Sequence, residues 1–480
     1  MRKVTSATLL VGFICVFSAC KEDDVISPTT LTVPETTKET NTTNSLVNNW
    51  AYDTMKDAYY WSSEMVSLSN LDVSLDPFSF FEKLIYNRET IDRFSSLTDD
   101  FEALENDFNG ISKIFGLRYT IAYLDNSSTN LGLFLSQITP GSAAEAAGMK
   151  RGDVIITIDN QNITSANFSS LFSSSDTHSF GFGKLENDVW VSEGAVSVTS
   201  MVTEENPVAY SGIIDLPVSG RKLGYLLYTQ FIPGSADEYD NQLRSIFADF
   251  KSNQVSELVL DLRFNGGGYI SSAEVLSSLI GKNTKTSDIF YIEKWNESYE
   301  SYLRSAYGSN YFNHSFLNEP NNIGNQLSRV FVLTSNSTAS ASELVINGLE
   351  PYMEVITVGE NTYGKNLFGT LVGDEVNKSN YGIYVMLGET TNALGQSGYG
   401  TVDGITPDYY IEDNQIPYLP IGDYNETLFS QVLDILGEKT LASARLGNKT
   451  TVWRKNKFYM KEAEAKPLAK TIRTIPTATK

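Results

Sequence analysis

Histidine and cysteine are nearly missing from this 480-residue chain, with two of each, and 36 Lys+Arg are outnumbered by 58 Asp+Glu for a formal charge of −22. Each shortage excludes something. Zinc sites built from Cys and His cannot be assembled from so few ligands. A Ser-His-Asp hydrolase would have to draw on His178 or His314, so nucleophilic chemistry points to some other base. An acidic chain without a general basic excess is a poor nucleic-acid binder. No apolar run approaches the roughly eighteen residues of a membrane-spanning helix. What the chain does have is 41% hydrophobic and 12% aromatic residues, enough for packed cores at a length that suggests several domains.

Met1-Arg2-Lys3 followed by the apolar run Ala7 to Phe17 has the charge and length of a secretion signal and is too short to span a bilayer. The run ends Phe17-Ser18-Ala19-Cys20, which resembles the bacterial lipoprotein cleavage box, with Phe17 where an aliphatic residue is more usual. That resemblance implies removal of residues 1–19, loss of Cys15, diacylation of Cys20, a mature chain without disulfides, and a cell-envelope location held through lipid. An ordinary signal cut near the same place would instead leave Cys20 as a free thiol. Lys21-Glu22-Asp23-Asp24 resembles the acidic export signal of surface-displayed lipoproteins, or is simply a charged spacer. Residues 20–44, Thr-rich with Pro28 and Pro34, read as the lipid anchor and an unstructured tether.

Residues 45–106 read as a small helical domain: Trp50, Met55 and Tyr59 recur at helical spacing, and Asp76-Pro77 is an N-cap followed by a first-turn proline. Residues 109–205 change to short strands and turns. Within them the stretch from Ser136 to Asp159, with its Thr139-Pro140-Gly141-Ser142 turn, short helix closed by Gly148 and strand Val154 to Ile158, resembles the middle of a PDZ domain. Such a domain implies a peptide partner added to a sheet edge, its terminal carboxylate held by the backbone of Phe115, Gly116 and Leu117. Gly116 could equally be a turn glycine. Residues 207–440 alternate strands and helices, among them strands at 224–229, 255–262, 330–334 and 355–358, the mark of an α/β body with buried strands.

Three segments of that body converge on chemistry. Gly266-Gly267-Gly268 follows a strand with no side chains to block approach, so its amides can face an oxyanion. Thr334 to Glu343 brings small hydroxyl residues to a helix N-terminus, where the peptide dipoles favour negative charge. Gly359-Glu360-Asn361-Thr362-Tyr363-Gly364-Lys365 places a lysine between glycines just beyond an apolar strand, where desolvation would make it a base near neutral pH.

Together these segments resemble the C-terminal processing peptidases, or tail-specific proteases, which join a PDZ domain to a Ser/Lys catalytic domain of crotonase-like α/β fold. Ala339 to Glu343 and Gly359 to Lys365 match the family pattern. The match implies Ser340 as nucleophile and Lys365 as base, with Ser337 and Ser342 disfavoured by spacing. It implies Gly267 or Gly268 with the Ala341 amide as oxyanion hole, Glu343 and Thr362 as supporting residues, and no metal or cofactor. Protein or peptide substrates with accessible C-termini would be the partners. Two positions depart from the pattern: Asn366 stands where relatives commonly have Gly, and Gly369 where they have the Gln that helps orient the lysine. Thr362, a backbone carbonyl or Gln396 are the candidates to orient Lys365 instead.

The departures leave two rivals to an active serine endopeptidase. One is a peptidase-fold protein that only captures peptide ends through its PDZ domain. The other is a crotonase-type thioester enzyme, disfavoured because a secreted protein would not meet coenzyme A. Residues 441–480 form a basic tail, with ten Lys+Arg and two Asp+Glu from Arg445 onward. The tail is expected to fold back on the acidic body, to touch anionic lipid, or merely to solubilise.

Overall fold

A computed structural model describes residues 35–124, 129–187 and 189–439, and two short strands further on, Trp453–Arg454 and Lys470–Ile472. The expected leader and Cys20 lie outside the described residues. Among the described residues no helix is long and apolar enough to cross a membrane.

The tether expected to run to residue 44 is shorter than that, because the helix Glu35–Ala58 already contains residues 35–44. After Pro34 the segment has no further Pro or Gly, and extending a helix costs little once Val47, Trp50 and Ala51 are buried in its later turns. The helical segment that follows is packed directly on the α/β body. Its Trp50, Met55, Tyr59, Phe80 and Phe81 share one apolar cluster with Leu226, Leu260, Phe368 and Tyr384 of the α/β body. Backbone bonds reinforce the union: the Tyr60 amide donates to Met386 O at 2.9 Å, and Ser96–Thr98 pairs antiparallel with Gly382–Asn392. Helical spacing showed an apolar stripe, but could not show that the surface covering it comes from residues about 145 to 335 positions later.

The body is built on two sheets, one of six strands and one of seven. The first runs Val208–Asp215, Lys222–Tyr228, Glu257–Asp261, Arg329–Thr334, Glu354–Gly359, Tyr409–Tyr410, parallel after its first antiparallel pair. Its central strand Glu257–Asp261 is buried at every residue, as expected of a parallel strand covered on both faces. The second runs Gly267–Tyr269, Lys470–Ile472, Leu367–Gly373, Gly382–Asn392, Ile289–Trp295, Asn313–Ser315, with Ser96–Thr98 added beside it. Residues 109–205 form a separate sheet, Leu117–Tyr123, Asn130–Ile138, Gln161–Thr164, Val154–Ile158, Thr177–Glu186, Val189–Thr199. They leave and rejoin the body through a stem in which Ile111–Ile114 pairs with Met201–Glu204.

This inserted unit is tied to the body by polar contacts. Arg151 donates from Nε to Leu419 O at 2.7 Å and pairs with the buried Glu426 at 3.1 Å. The hydroxyls of Thr120 and Tyr418 meet at 2.7 Å. Glu426 is shared with Arg263, itself almost fully buried between Asp261, Asp413 and Glu426. The network therefore runs from the inserted unit to the end of the central strand, from which the glycine segment departs.

Candidate active site

The parallel strands Glu257–Asp261, Arg329–Thr334 and Glu354–Gly359 end side by side, and the three segments singled out in the sequence are the loops that leave them. Ligands of open α/β sheets sit at such carboxyl ends.

Ser340 caps the helix Ala341–Leu349 with φ 62° and ψ −110°. For a non-glycine residue this is a strained conformation costing on the order of 1–3 kcal/mol, and it persists only where the surroundings enforce it. They do so here through the other hydroxyls of the run. Thr338 donates to Leu262 O at 2.9 Å, Ser335 to Arg263 O at 2.5 Å and Ser342 to Asn265 O at 3.0 Å. The Ala339 amide bonds Asn265 O at 3.0 Å. Ser342 is thus a structural hydroxyl, and Ser337 lines a different recess beside Arg263, Phe264 and Glu360. Ser340 Oγ, buried, has no hydrogen-bond partner among the described residues. The Ala341 amide beside it opens the helix, among the first N–H groups that have no partner within it.

Lys365 is 1% exposed, and its ammonium donates to Tyr384 Oη at 2.8 Å. Its Nζ lies 5.0 Å from the centre of the Phe94 ring and 4.7 Å from that of Tyr384. Burial lowers the amine from the ordinary 10.5 to about 7, while the charges of Asp92 and Glu343 work in the opposite direction. Glu343 holds the serine and lysine segments together. One carboxylate oxygen accepts from Thr362 Oγ1 at 2.5 Å and the Gly364 amide at 2.7 Å; the other accepts from the Ser340 amide at 2.7 Å and the Lys365 amide at 2.8 Å. Burial raises this carboxyl to about 7 in spite of those four donors. Gly364 is required here, with φ +83° and a position where a Cβ would lie 1.7 Å from Thr401 O.

The glycine segment differs from expectation in one respect. Gly267 N donates to Asn265 Oδ1 at 2.8 Å, so this amide is already committed. Phe231 bonds Gly267 O and accepts from Tyr269 N, and the alternation of backbone directions turns the Gly268 amide to the opposite side, toward Lys470–Ile472. Gly268 has φ +142°, and a Cβ there would sit 2.0 Å from Phe231 O. Of the two glycines, Gly268 is therefore the one whose amide Asn265 does not hold and that is turned toward Lys470–Ile472.

The candidates for orienting the lysine also need correction. Thr362 Oγ1 donates to Glu343 and accepts from Ile405 N, and Gln396 bonds Asn347 and Asn392, so neither touches Lys365. Tyr384 holds the amine instead, and Gly369 explains how. A side chain at 369 would lie 2.9 Å from the Tyr384 ring and 2.5 Å from Met386 Cε, so the missing glutamine is what leaves room for the tyrosine. Tyr384, Asp92 and Phe94 carry no local signal: they reach the lysine through strand register and through the N-terminal segment. Asn265 could have been noticed, since it directly precedes the three glycines.

In the inserted unit, Phe115, Gly116 and Leu117 line a groove of about 460 Å³ together with Tyr119 and Phe172. Gly116 has φ +90°, and its carbonyl accepts from Thr139 N at 3.0 Å. His178 also belongs to this unit. It is fully buried beneath Phe115, with Nδ1 2.8 Å from Asp159 Oδ2.

Peptidase family S41 matches this chain over residues 222–411, the peptidase S41 N-terminal domain over 47–96 and a PDZ domain over 134–171. A crystal structure assigned to the S41 proteases of Bacteroides fragilis superposes with a TM-score of 0.67 at 27% identity, covering 82% of this chain and 97% of that one. A "Carboxyl-terminal-processing protease" of Picosynechococcus is 27% identical over 62% of this chain and 65% of its own length. A chloroplastic "C-terminal processing peptidase" of Tetradesmus obliquus is 26% identical over 58% of this chain and 56% of its own. The chain thus spans a little over half to just under two thirds of these two curated relatives.

Glu343→Gln replaces one of the two acceptor oxygens with an NH₂ that faces amide donors. It should lower stability by about 1–3 kcal/mol, the usual cost of unsatisfied buried polar groups. Urea unfolding measures this, and an unchanged midpoint and slope would mean that the carboxylate does not bind the two segments together.

Proposed function

We propose, from the premise that the chain belongs to the C-terminal processing peptidases of peptidase family S41, that it is a serine endopeptidase acting through Ser340 and Lys365. The observation that carries this reading is a strained, unbonded serine hydroxyl at a helix N-terminus, in a site shared with a buried lysine whose amine titrates near 7.

In the proposed reaction, neutral Lys365 takes the Ser340 proton while Oγ bonds to the substrate carbonyl carbon. The carbonyl oxygen becomes an oxyanion held by the amides of Gly268 and Ala341. As the C–N bond breaks, the Lys365 ammonium returns its proton to the leaving amine. Water then attacks the acyl-enzyme, giving a proton to Lys365, and Ser340 is regenerated. Tyr384 is the positioning residue for the lysine, which supports an active site in spite of the departures at Asn366 and Gly369 and weakens the binding-only reading. The groove at Phe115, Gly116 and Leu117 takes the C-terminal carboxylate of the substrate, and its docking through Arg151 and Glu426 suits it to gate the site. Acylated Cys20 would hold the enzyme in the cell envelope.

Purified protein should cleave an unfolded protein, and Ser340→Ala and Lys365→Ala should each remove at least 10²-fold of the rate; equal cleavage by all three rejects the dyad. Because the base acts unprotonated, kcat/KM should rise with pH through about 7 and then level. Tyr384→Phe should lower kcat with little change in KM and move that rise to lower pH, since the ammonium loses an acceptor.

A peptide ending in a free carboxylate should show a KM about tenfold lower than its C-terminal amide, and Gly116→Ala should erase the difference. Indifference to amidation in the unaltered enzyme would remove the groove from substrate selection.

Cys20→Ala should release the protein from the membrane fraction on expression in a diderm bacterium. Retention there would argue against lipid anchoring.

A further inference from the structure

The strand Lys470–Ile472 belongs to the basic tail, yet it lies inside the second sheet. It runs parallel to Gly267–Tyr269 on one side, with Gly268 opposite Thr471, and parallel to Leu367–Gly373 on the other, with Gly369 opposite Ile472. Among the described residues nothing else joins those two strands. They flank the candidate site: the first carries the Gly268 amide, and the second begins two residues after Lys365. The helix capped by Ser340 packs against the first of them.

Two unpaired strand edges facing each other make a slot for one extended peptide. Main-chain bonds to both edges would bind it with little regard to its side chains. The slot suits an endopeptidase substrate, and the chain's own tail occupies it.

We infer that residues 470–472 sit where an extended substrate would bind, so that the tail is an intramolecular competitor for the active-site cleft. The inference rests on the peptidase reading in one respect, that Gly268 faces the reacting carbonyl. The Gly268 amide is turned toward this strand, so tail and substrate backbone cannot both have it. A second strand of the tail, Trp453–Arg454, pairs with Gln415–Ile416 and fixes the tail to the body at another point. Charge favours the contact as well: from Arg445 onward the tail carries +8 within a chain of net −22. An attached strand competes at an effective concentration of about 1 mM, so a segment with an intrinsic Kd of about 0.1–1 mM would raise the apparent KM roughly 2- to 11-fold.

Proline in the middle of the strand removes a ladder donor and leaves the rest of the chain intact. Thr471→Pro should therefore lower KM for an unfolded substrate by roughly 2- to 11-fold with kcat little changed. A fluorescent peptide of residues 466–476 should bind Ser340→Ala/Thr471→Pro several-fold more tightly than Ser340→Ala alone, and less tightly as salt rises. The same peptide with proline at the Thr471 position should not displace it. The binding comparison needs no catalysis, so it remains decisive even if the protein cleaves nothing. Equal peptide binding to the two Ser340→Ala proteins, or equal displacement by the proline peptide, would overturn the inference, as would an unchanged KM.

Discussion

Everything at this site depends on a buried carboxylate that water does not reach. Glu343 lies in the first turn of its helix, and all four of its described donors come from the protein: Ser340 N, Thr362 Oγ1, Gly364 N and Lys365 N. Two loops from neighbouring strands are bonded to one rigid group, so the strained serine and the buried lysine are positioned together. Four donors offset much of the cost of burying the carboxylate, though its pKa near 7 shows that burial still dominates.

The same burial makes the lysine useful. An exposed lysine is protonated at neutral pH; desolvation, helped by the nearby charge of Arg93, brings this one to about 7. The cover comes partly from far away in sequence: Phe94 lies against the ammonium, and Asp92 contributes a charge that keeps the pKa from falling further. Arg93 donates to the carbonyls of Tyr363 and Gly364 and binds the N-terminal segment to the lysine loop. The N-terminal segment is therefore one wall of the site, which is the physical reason that it shares the body's core.

The inserted unit and the tail bear on the cleft from different sides. The unit connects through Arg151, Glu426 and Arg263 to the end of the central strand, whereas the described strands of the tail connect by backbone pairing. Ionic contacts of the first kind are specific in geometry and weakened little by salt where buried. A strand added through the main chain is tolerant of sequence and can be replaced by any extended peptide.

Local chemistry alone determined the parts that depend on it. Glycines at 267, 268 and 364, the small hydroxyl run ending at Ser340, and the lysine beyond an apolar strand were legible because each needs particular residue types at fixed spacing. The alternation of strands and helices over 207–440 was legible for the same reason, since periodicity is a local property. Which glycine amide Asn265 holds and which is turned the other way was not legible, because it follows from the pairing of Gly267–Tyr269 with Phe231. Nor was the partner of Lys365: a glycine at 369 read as a loss, and only the register between Leu367–Gly373 and Gly382–Asn392 shows Tyr384 in the space it leaves. The short tether, the merging of the helical segment into the core and the tail's place in the sheet likewise depend on contacts between residues far apart in the chain. Sequence thus determined the reactive groups, and tertiary packing decided which of them are dry, which are bonded and what lies against them.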